Sequence, residues 1–402
     1  MSTVLLTCGR GTFSLTLARA FHAAGHRVLV ADAWPRSLCR YSAAVSRYFY
    51  VPSPAKSTTA WAEAIQEIVK QQRVDLIVPI YEEVLHLAKA LADLAEPLPL
   101  FAADFQTLIA LHDKWRFNQT ARALGLSVPD SVLLTNREDV EREFPRGGRH
   151  RVFKPVYSRF AAQTVVRPGS LESLDLVEPT PQKPWLSQAF LPGRPYATFS
   201  IAHRGRMTAH VTYATDFCHD LGPTVVYRRA DHPAIHAWVQ KLIEGLQFTG
   251  QIGLDFIEDE RGLIAGIECN PRLTGGFYLL KDNPRAAAAY FDSKMEPIEA
   301  ARDRSYAFRY WLFFTLFRHT KNFPGFREWC RHVLFARSTN AFCWSDPKPR
   351  LMGPILAGEF LLRCRREGKS VREMVTLDFE WSEEPTRSER IVGPAEEQRH
   401  VA

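Results

Sequence analysis

The first hundred residues alternate between short apolar runs and amphipathic stretches. The apolar runs are Val4–Leu6, Val28–Val30 and Val74–Ile80, and the amphipathic stretches are Thr12–Ala24 and Trp61–Gln71. The apolar runs have the length of buried strands, and the stretches between them have helical spacing. Strands that alternate with helices are typical of a parallel sheet covered by helices. We therefore expect a Rossmann-like α/β domain over residues 1–110.

From Leu111 onward the chain changes to closely spaced strand patterns. A helix is predicted from Asp113-Lys114 to Gly125, because a capping residue opens it and a glycine closes it. His232–Leu246 has an apolar stripe that predicts a helix packed on a sheet. The predicted strands are Arg151–Pro155, Gln163–Arg167, Trp185–Leu191 and the hairpin pair Tyr196–His203 and Met207–Thr215. We expect residues 111–295 to form a second domain, of α+β character.

The most informative pattern is a predicted hairpin between Phe248 and Gly276. Its two runs alternate in hydrophobicity as half-buried strands do, and the turn Asp259–Gly262 suits a short connection. Pairing Glu258 with Leu263 sets the register of the whole ladder. The further pairs in that register are Gly253 with Glu268 and Asp255 with Gly266.

Asp255, Glu268 and Asn270 share one face of this predicted hairpin. Same-face neighbours on a strand lie about 6 to 7 Å apart, which lets such oxygens gather Mg²⁺ ions around a triphosphate. The alternative is an edge hairpin whose acidic residues face water. It is less favoured because Pro271, Arg272 and the glycines that follow supply a strand stop, a fixed cation and a backbone able to approach phosphate. A one-residue slip of register would separate the three side chains.

Residues 296–402 form the third predicted part, a mainly helical module rich in aromatic and basic side chains. One interpretation is a helix on a membrane surface, with Arg309, Arg318 and Lys321 facing lipid headgroups. The favoured interpretation is a helical cap buried on the other domains, because aromatic stripes are commonly part of a core.

Composition supports several folded domains. A chain of 402 residues exceeds one ordinary core, and its 46% hydrophobic and 24% charged residues are typical of folded proteins. The net charge of +7 comes from arginines scattered along the chain. A small anionic substrate explains that charge as well as a nucleic acid or a membrane does. We expect no nucleic-acid partner.

The cysteines and the N-terminus indicate a cytoplasmic protein. Seven cysteines form no C-x-x-C pair, which argues against a zinc site and against a disulfide framework. The N-terminus lacks the pattern of a signal peptide, and no apolar run reaches transmembrane length.

Three cations suit phosphoryl transfer, namely Lys114, Lys154 and Arg272. An isolated lysine is usually a solvated surface residue, but the apolar neighbours of Lys154 indicate that it points into a cleft that holds an anion. The loop Cys8–Gly11 has half of a dinucleotide-binding fingerprint and lacks the third glycine. A glycine turn that packs strand on helix is therefore favoured over a nicotinamide site.

These residues and their order resemble the ATP-grasp superfamily, in which a nucleotide lies between two α+β subdomains. The resemblance covers nearly the whole chain and implies a pre-ATP-grasp domain followed by a two-lobed ATP-grasp domain. It implies ATP and Mg²⁺ as cofactors, with Lys114 and Lys154 on the phosphates and Arg272 near the γ-phosphate and the acceptor. Lys154 and Arg272 are then the catalytic residues. The other implied ligands are Asp255, Glu268 and Asn270 for Mg²⁺, and Gln188, Ala189, Phe190 and Leu191 for adenine.

Several passages are also similar to mycosporine-glycine synthases, the ATP-grasp enzymes that join glycine to the enolone 4-deoxygadusol. The passages are ARAFHAAGHRV from Ala18, VSRYFYVPSP from Val45, HDKWRFNQTARALGLSVP from His112, KPWLSQAFLPG from Lys183 and LDFIEDERGLIAGIECNPR from Leu254. This resemblance implies an ADP-forming ligase that phosphorylates a carboxylate or enolic oxygen of a small acceptor and joins it to an amine or amino acid.

The chain departs from the superfamily pattern at two places. Pro195 stands where many members have a ribose-binding glutamate, and Tyr157–Gln163 lacks the usual glycine-rich flap. Ser158 and Arg159 are candidates to cover the phosphates instead. These departures leave open an alternative, an ATP-binding regulatory module without ligase activity. On the acceptor side Pro271–Leu280 is favoured over the histidines of the middle domain, which are His203, His210 and His219.

Overall fold

The computed structural model describes residues 1–92, 97–158, 163–215, 224–301, 305–307, 327, 329–330, 337–338 and 343–381. Within these residues the strands are β1 (Thr3–Leu6), β2 (Arg27–Asp32), β3 (Arg47–Tyr50), β4 (Leu76–Val78), β5 (Ser131–Leu134), β6 (Arg151–Pro155), β7 (Val165–Val166), β8 (Trp185–Ala189), β9 (Arg194–His203), β10 (Arg206–Ala214), β11 (Val226–Arg229), β12 (Gly250–Glu258), β13 (Ile264–Asn270), β14 (Ser305–Ala307) and β15 (Arg337–Ser338). The helices are α1 (Thr12–Ala23), α2 (Thr58–Gln72), α3 (Glu83–Leu91), α4 (Phe105–His112), α5 (Lys114–Ala123), α6 (Arg137–Glu143), α7 (Pro233–Gly245), α8 (Phe277–Leu280), α9 (Lys348–Glu367) and α10 (Val371–Thr376).

The N-terminal sheet is parallel, with strand order β3-β2-β1-β4. Successive residues of β1 enter cores on opposite faces, as expected when helices cover both sides of a parallel sheet. Leu6 packs in the core that contains Leu15 of α1, and Leu5 packs in the core that contains Trp61 of α2. The predicted α/β character is confirmed. The sequence analysis missed β3, because its one basic and three aromatic residues lack an aliphatic run.

The loop after β1 is a tightly packed turn. A Cβ atom on Gly11 would lie 1.8 Å from the hydroxyl of Tyr81. The Gly9 amide donates to Asp32 at 2.7 Å, and the Arg10 guanidinium pairs with the same carboxylate at 2.6 Å. Side chains of the protein itself therefore fill this loop, in agreement with the packing interpretation of its glycines.

The largest sheet has the order β13-β12-β9-β10-β11-β14-β15. Its β9–β10 hairpin turns at Arg204 and Gly205, with φ of 46° and 83°. Positive φ at both positions is what a two-residue hairpin turn requires, and the predicted hairpin is confirmed. Helix α7 packs on this sheet through Trp238, whose ring lies 5.0 Å from that of Phe256. A third, antiparallel sheet has the order β5-β8-β6-β7.

Strand β14 continues the largest sheet, because Tyr306 pairs with Tyr227 of β11. Most of the aromatic stretch predicted for the third module lies outside the described residues, together with Arg309, Arg318 and Lys321. In the part that the structure describes, no helix is long and apolar enough to cross a membrane. The boundaries at residues 110 and 295 remain predictions.

Candidate active site

The β12–β13 hairpin holds the candidate metal ligands, in a register that differs from the predicted one. Asp255 pairs with Glu268 and Gly253 with Asn270, whereas Glu258 pairs with Ile264. The predicted pairing was wrong because the turn holds one more residue and because a β-bulge follows Asp255. The bulge adds a residue to β13, so the total shift at the site is two residues. A shift of two keeps every side chain on its face, and the three candidate ligands stay together.

Asp255 and Glu268 place two acidic side chains opposite each other, with limited access to solvent. Burial and the neighbouring Glu268 raise the pKa of Asp255 to about 7, against the opposing effects of Arg272, Lys154 and Lys114. The Glu268 side chain is 30% exposed and is therefore partly open to solvent. Two opposed carboxylates of this kind repel each other and favour a cation between or beside them.

Lys154 lies where the small antiparallel sheet meets the hairpin. It is 8% exposed, and its Nζ donates to Gln188 Oε1 at 2.9 Å and to the carbonyl of Ile267 at 3.4 Å. Burial lowers the pKa of Lys154 to about 8, although Glu268 and Asp255 act in the opposite direction. A buried cation with neutral hydrogen-bond partners is suited to an anionic ligand.

Lys114 begins α5, directly after the capping residue Asp113, whose side chain accepts from the Arg116 amide. Its Nζ donates to the carbonyl of Ser158 at 3.0 Å and lies 3.7 Å from Glu268 Oε1. Lys114 thus joins the segment after β6 to the hairpin. Arg159, the other residue suggested for the flap, is outside the described residues.

Asn270 and Arg272 lie next to each other at the end of β13. Arg272 Nη2 donates to Asn270 Oδ1 at 2.9 Å, and its Nη1 donates to the carbonyl of Leu273 at 3.4 Å. Gly275 and Gly276 follow, but aromatic rings fill the space beside them. A Cβ atom would lie 2.1 Å from Tyr227 at Gly275 and 2.5 Å from the side chain of Phe199 at Gly276. Close packing therefore requires both glycines.

The predicted adenine segment, Gln188–Leu191, is the end of β8 and the loop after it. The amides of Ala189 and Phe190 donate to the carbonyls of Asp130 and His150, each at 2.8 Å. The resemblance implied that Gln188 contacts adenine, and the structure shows in addition that its buried side chain accepts a hydrogen bond from Lys154. An amide side chain at the next-to-last position of a buried strand was the only signal for this contact.

The two candidate histidines that the structure describes contact other residues. His203 Nε2 lies 2.9 Å from the carbonyl of Ala289. His210 is buried and shares hydrogen bonds with Ser200 and Thr212 at 2.9 and 3.1 Å. His219 lies outside the described residues. Neither described histidine is brought to the Asp255–Glu268 pair by these contacts.

The arrangement of sheets and helices is that of an ATP-grasp fold, and residues 111–276 match the ATP-grasp domain family. A search of curated proteins gives no match.

Three solved structures have a similar overall fold at low sequence identity. N5-carboxyaminoimidazole synthetase from Staphylococcus aureus, complexed with ADP, has a TM-score of 0.60 and 16% identity, over 74% of this chain and 80% of that one. The biotin carboxylase domain of Hydrogenobacter thermophilus 2-oxoglutarate carboxylase, with MgADP, ADP and bicarbonate, has a TM-score of 0.59 and 14% identity, over 76% of this chain and 72% of that one. L-amino acid ligase from Bacillus licheniformis has a TM-score of 0.57 and 17% identity, over 76% of this chain and 78% of that one.

Proposed function

We propose that the protein is an ATP-dependent, ADP-forming ligase. A carboxylate or enolic oxygen of a small acceptor attacks the γ-phosphorus of ATP, and ADP leaves. An amine or amino acid then attacks the activated carbon, and inorganic phosphate leaves. The observation that carries the proposal is the direct opposition of Asp255 and Glu268, with Lys114 3.7 Å from Glu268 and Lys154 hydrogen-bonded to the carbonyl of the residue before Glu268 in the chain.

The nucleotide end of the site is built from Lys154, Lys114 and the Gln188–Leu191 loop. The Lys154 ammonium has three N–H donors, so it keeps its hydrogen bond to Gln188 and gains a phosphate oxygen as a full ionic partner. The amides of Ala189 and Phe190 are already used, and the next amide toward the cleft is that of Leu191. The ADP-bound Staphylococcus aureus structure and the MgADP-bound Hydrogenobacter thermophilus structure have this fold, which supports ATP as the nucleotide.

The donor set fits Mg²⁺. Among the described residues no group of three His, Cys, Asp or Glu side chains is arranged for a metal. The candidate ligands are therefore the carboxylates of Asp255 and Glu268 together with the amide oxygen of Asn270. Mg²⁺ is commonly held by one or two carboxylates, with waters and substrate phosphates completing its shell. Asp255, Glu268 and Asn270 would hold Mg²⁺, and the ion would offset the negative charge of the phosphate groups.

Arg272 and the segment after it face the acceptor. Arg272 is held by Asn270, so its charge is fixed beside the metal ligands. It is also close enough to Tyr81 for its charge to oppose the rise that burial causes in the pKa of that phenol. A fixed cation here stabilises charge on the transferred phosphoryl group and on the acceptor oxygen.

The first substrates to test are 4-deoxygadusol and glycine, because the passages similar to mycosporine-glycine synthases include both the Lys114 and the Asp255–Arg272 segments. The protein is incubated with Mg-ATP, these two substrates and a wider panel of small carboxylates and amino acids, and products are followed by mass spectrometry. A new adduct formed together with ADP is the expected result. ATP binding without any adduct across the panel would contradict the ligase and support the ATP-binding regulatory module.

A further inference from the structure

The segment Leu377–Trp381, named here the strap, crosses the end of the N-terminal sheet. The carbonyl of Asp378 accepts from the Ala55 amide and the Ser53 hydroxyl, at 3.1 and 3.0 Å. The Trp381 amide donates to Glu82 Oε2 at 3.3 Å. The strap therefore lies across the loops that follow β2, β3 and β4, held by backbone and side-chain contacts.

The strap occupies the place where sheets of this kind bind ligands. In open α/β sheets, ligands bind outside the carboxyl ends of the strands, where the strand order reverses. The order β3-β2-β1-β4 puts that reversal between β1 and β4. Arg10 follows β1 and pairs with Asp378, and Tyr81 follows β4 and stacks on Phe379 with ring centroids 4.8 Å apart. Two successive strap residues thus fill the crevice from both sides.

The Asp378 carboxylate sits in a preorganised receptor. Arg10 Nη1 donates to Asp378 Oδ2 at 2.8 Å, and the indole N–H of Trp34 donates to the same oxygen. Asp32 pairs with Arg10 on its other side at 2.6 Å, and the guanidinium lies 4.4 Å from the Trp34 ring centroid. The side chains of Arg10 and Asp378 are only 11% and 7% exposed. Two donors fixed in this way recognise a carboxylate by geometry as well as by charge.

A groove of about 740 Å³ adjoins this receptor, and Arg10 and Trp34 line it. Helix α9 lines it as well, and its Phe360 ring lies against the Trp34 ring, with centroids 5.7 Å apart. The two rings form an apolar surface beside a carboxylate receptor, which suits a planar body. A volume of this size is in the range of small-molecule sites.

The charges of the groove are mixed, with basic groups in excess. Arg363 lies 4.7 Å from the Trp34 ring centroid and pairs with Glu367 at 3.4 Å. Arg36 pairs with Glu359 at 2.9 Å. Arg366 adds a further cation to the lining. The net positive lining attracts an anion toward the Arg10 receptor.

We propose that Arg10, Trp34 and the adjoining groove form a binding site for a small planar carboxylate, and that the Asp378 strap is an internal ligand that this molecule displaces. The groove is not lined by Asp255, Glu268 or Arg272, and its occupancy needs no nucleotide. The proposed site can therefore be tested independently of the ligase activity.

Benzoate is the probe, and benzamide, which has the same shape without the charge, is its control. Binding is measured without ATP by calorimetry on the full-length protein and on Asp378→Asn, which keeps the size of the side chain and removes its charge. Benzoate is expected to bind Asp378→Asn at least tenfold more tightly than the wild type. Asp346→Asn is the matched variant, because Asp346 pairs with Arg19 at 2.9 Å on a contact that does not line the groove. It should bind benzoate as the wild type does.

Hydrogen exchange of the wild-type protein tests the displacement without any substitution. Benzoate, and not benzamide, should accelerate exchange of the Leu377–Trp381 amides. Equal benzoate affinity of the wild type and a folded Asp378→Asn would overturn the proposal. Binding of benzamide as tight as that of benzoate, or benzoate binding that leaves strap exchange unchanged, would overturn it as well.

Discussion

The Nζ atom of Lys154 is hydrogen-bonded to Gln188 Oε1 at 2.9 Å, and both side chains are buried. The glutamine is the side chain that fixes the ammonium in place, yet it carries no charge to compete with an anion. The pair therefore keeps a cation oriented in the cleft before any nucleotide arrives. Such preorganisation lowers the cost of binding.

Gln188→Leu removes that partner and is expected to weaken ATP binding about tenfold, which corresponds to about 1.4 kcal/mol. The loss arises because Lys154 keeps only the 3.4 Å contact with the carbonyl of Ile267. Titration with a fluorescent ATP analogue measures the effect. Gln240→Leu, at an exposed position of α7, is the control and should leave affinity unchanged. Equal ATP affinities of Gln188→Leu and Gln240→Leu would show that Gln188 does not contribute to ATP binding.

Glu268→Gln and Asn270→Ala are each expected to lower ADP release by at least about a hundredfold while the fold is kept. Glu268→Gln removes the negative charge of one ligand on the shared face of the hairpin, and Asn270→Ala removes an oxygen ligand there. A coupled ADP assay and circular dichroism measure the two properties. Glu258→Gln is the matched control, since Glu258 lies on the same hairpin but reaches His232 at 3.3 Å. Turnover like that of the wild type in either of the first two variants would refute the metal-ligand assignment.

Gly275→Ala is expected to destabilise the protein by about 1 to 3 kcal/mol, because its Cβ would meet Tyr227 at 2.1 Å. Chemical denaturation measures the change. Gly358→Ala, in α9, has open space around its Cβ position and should instead stabilise the protein by up to about 1 kcal/mol. Unchanged stability of Gly275→Ala would show that the loop moves freely away from Tyr227.

Acid should destabilise the fold through His210. Burial lowers the pKa of His210 to about 3, and the neighbouring His236 and Arg229 act in the same direction. The unfolded chain binds a proton at this residue below about pH 6.5, so this contribution to the free energy of unfolding is lost as the pH falls from there toward 3. At pH 5 the loss is about 2 kcal/mol. Between pH 8 and pH 5 His210→Gln should therefore lose about 2 kcal/mol less stability than the wild type. If the free energies of unfolding of the wild type and of His210→Gln change in parallel with pH, this effect is excluded.

The candidate metal ligands were predictable as a group, but their pairing was not. Hydrophobic alternation gave the two strands, and the even spacing of Glu268 and Asn270 put them on one face. The bulge after Asp255 left no mark in the sequence, because a bulge is set by how neighbouring strands fit together. The grouping survived only because the turn and the bulge each shifted the register by one residue.

Long-range contacts were beyond the reach of the sequence pattern. Arg10 and Asp378 are far apart in the chain, and no local periodicity links them. The role of Gln188 was missed for the same reason, since its partner Lys154 belongs to another strand. By contrast, the parallel order of the N-terminal elements followed from their alternation alone. Local hydrophobic patterns predict helices and strands, whereas the hydrogen-bond and ionic partners of buried polar groups are set only when the elements pack together.

The tip of the β12–β13 hairpin lies beyond the bulge, away from the paired carboxylates. Glu260, Arg261 and Gly262 are exposed there, and Leu263 is 65% exposed. β12 is also paired along its length with β9, so the tip does not position the strand. A cysteine placed at Glu260 would therefore carry a fluorescent label close to the cleft without contacting it. The hairpin thus provides an attachment point from which movement of the cleft walls can be followed in solution.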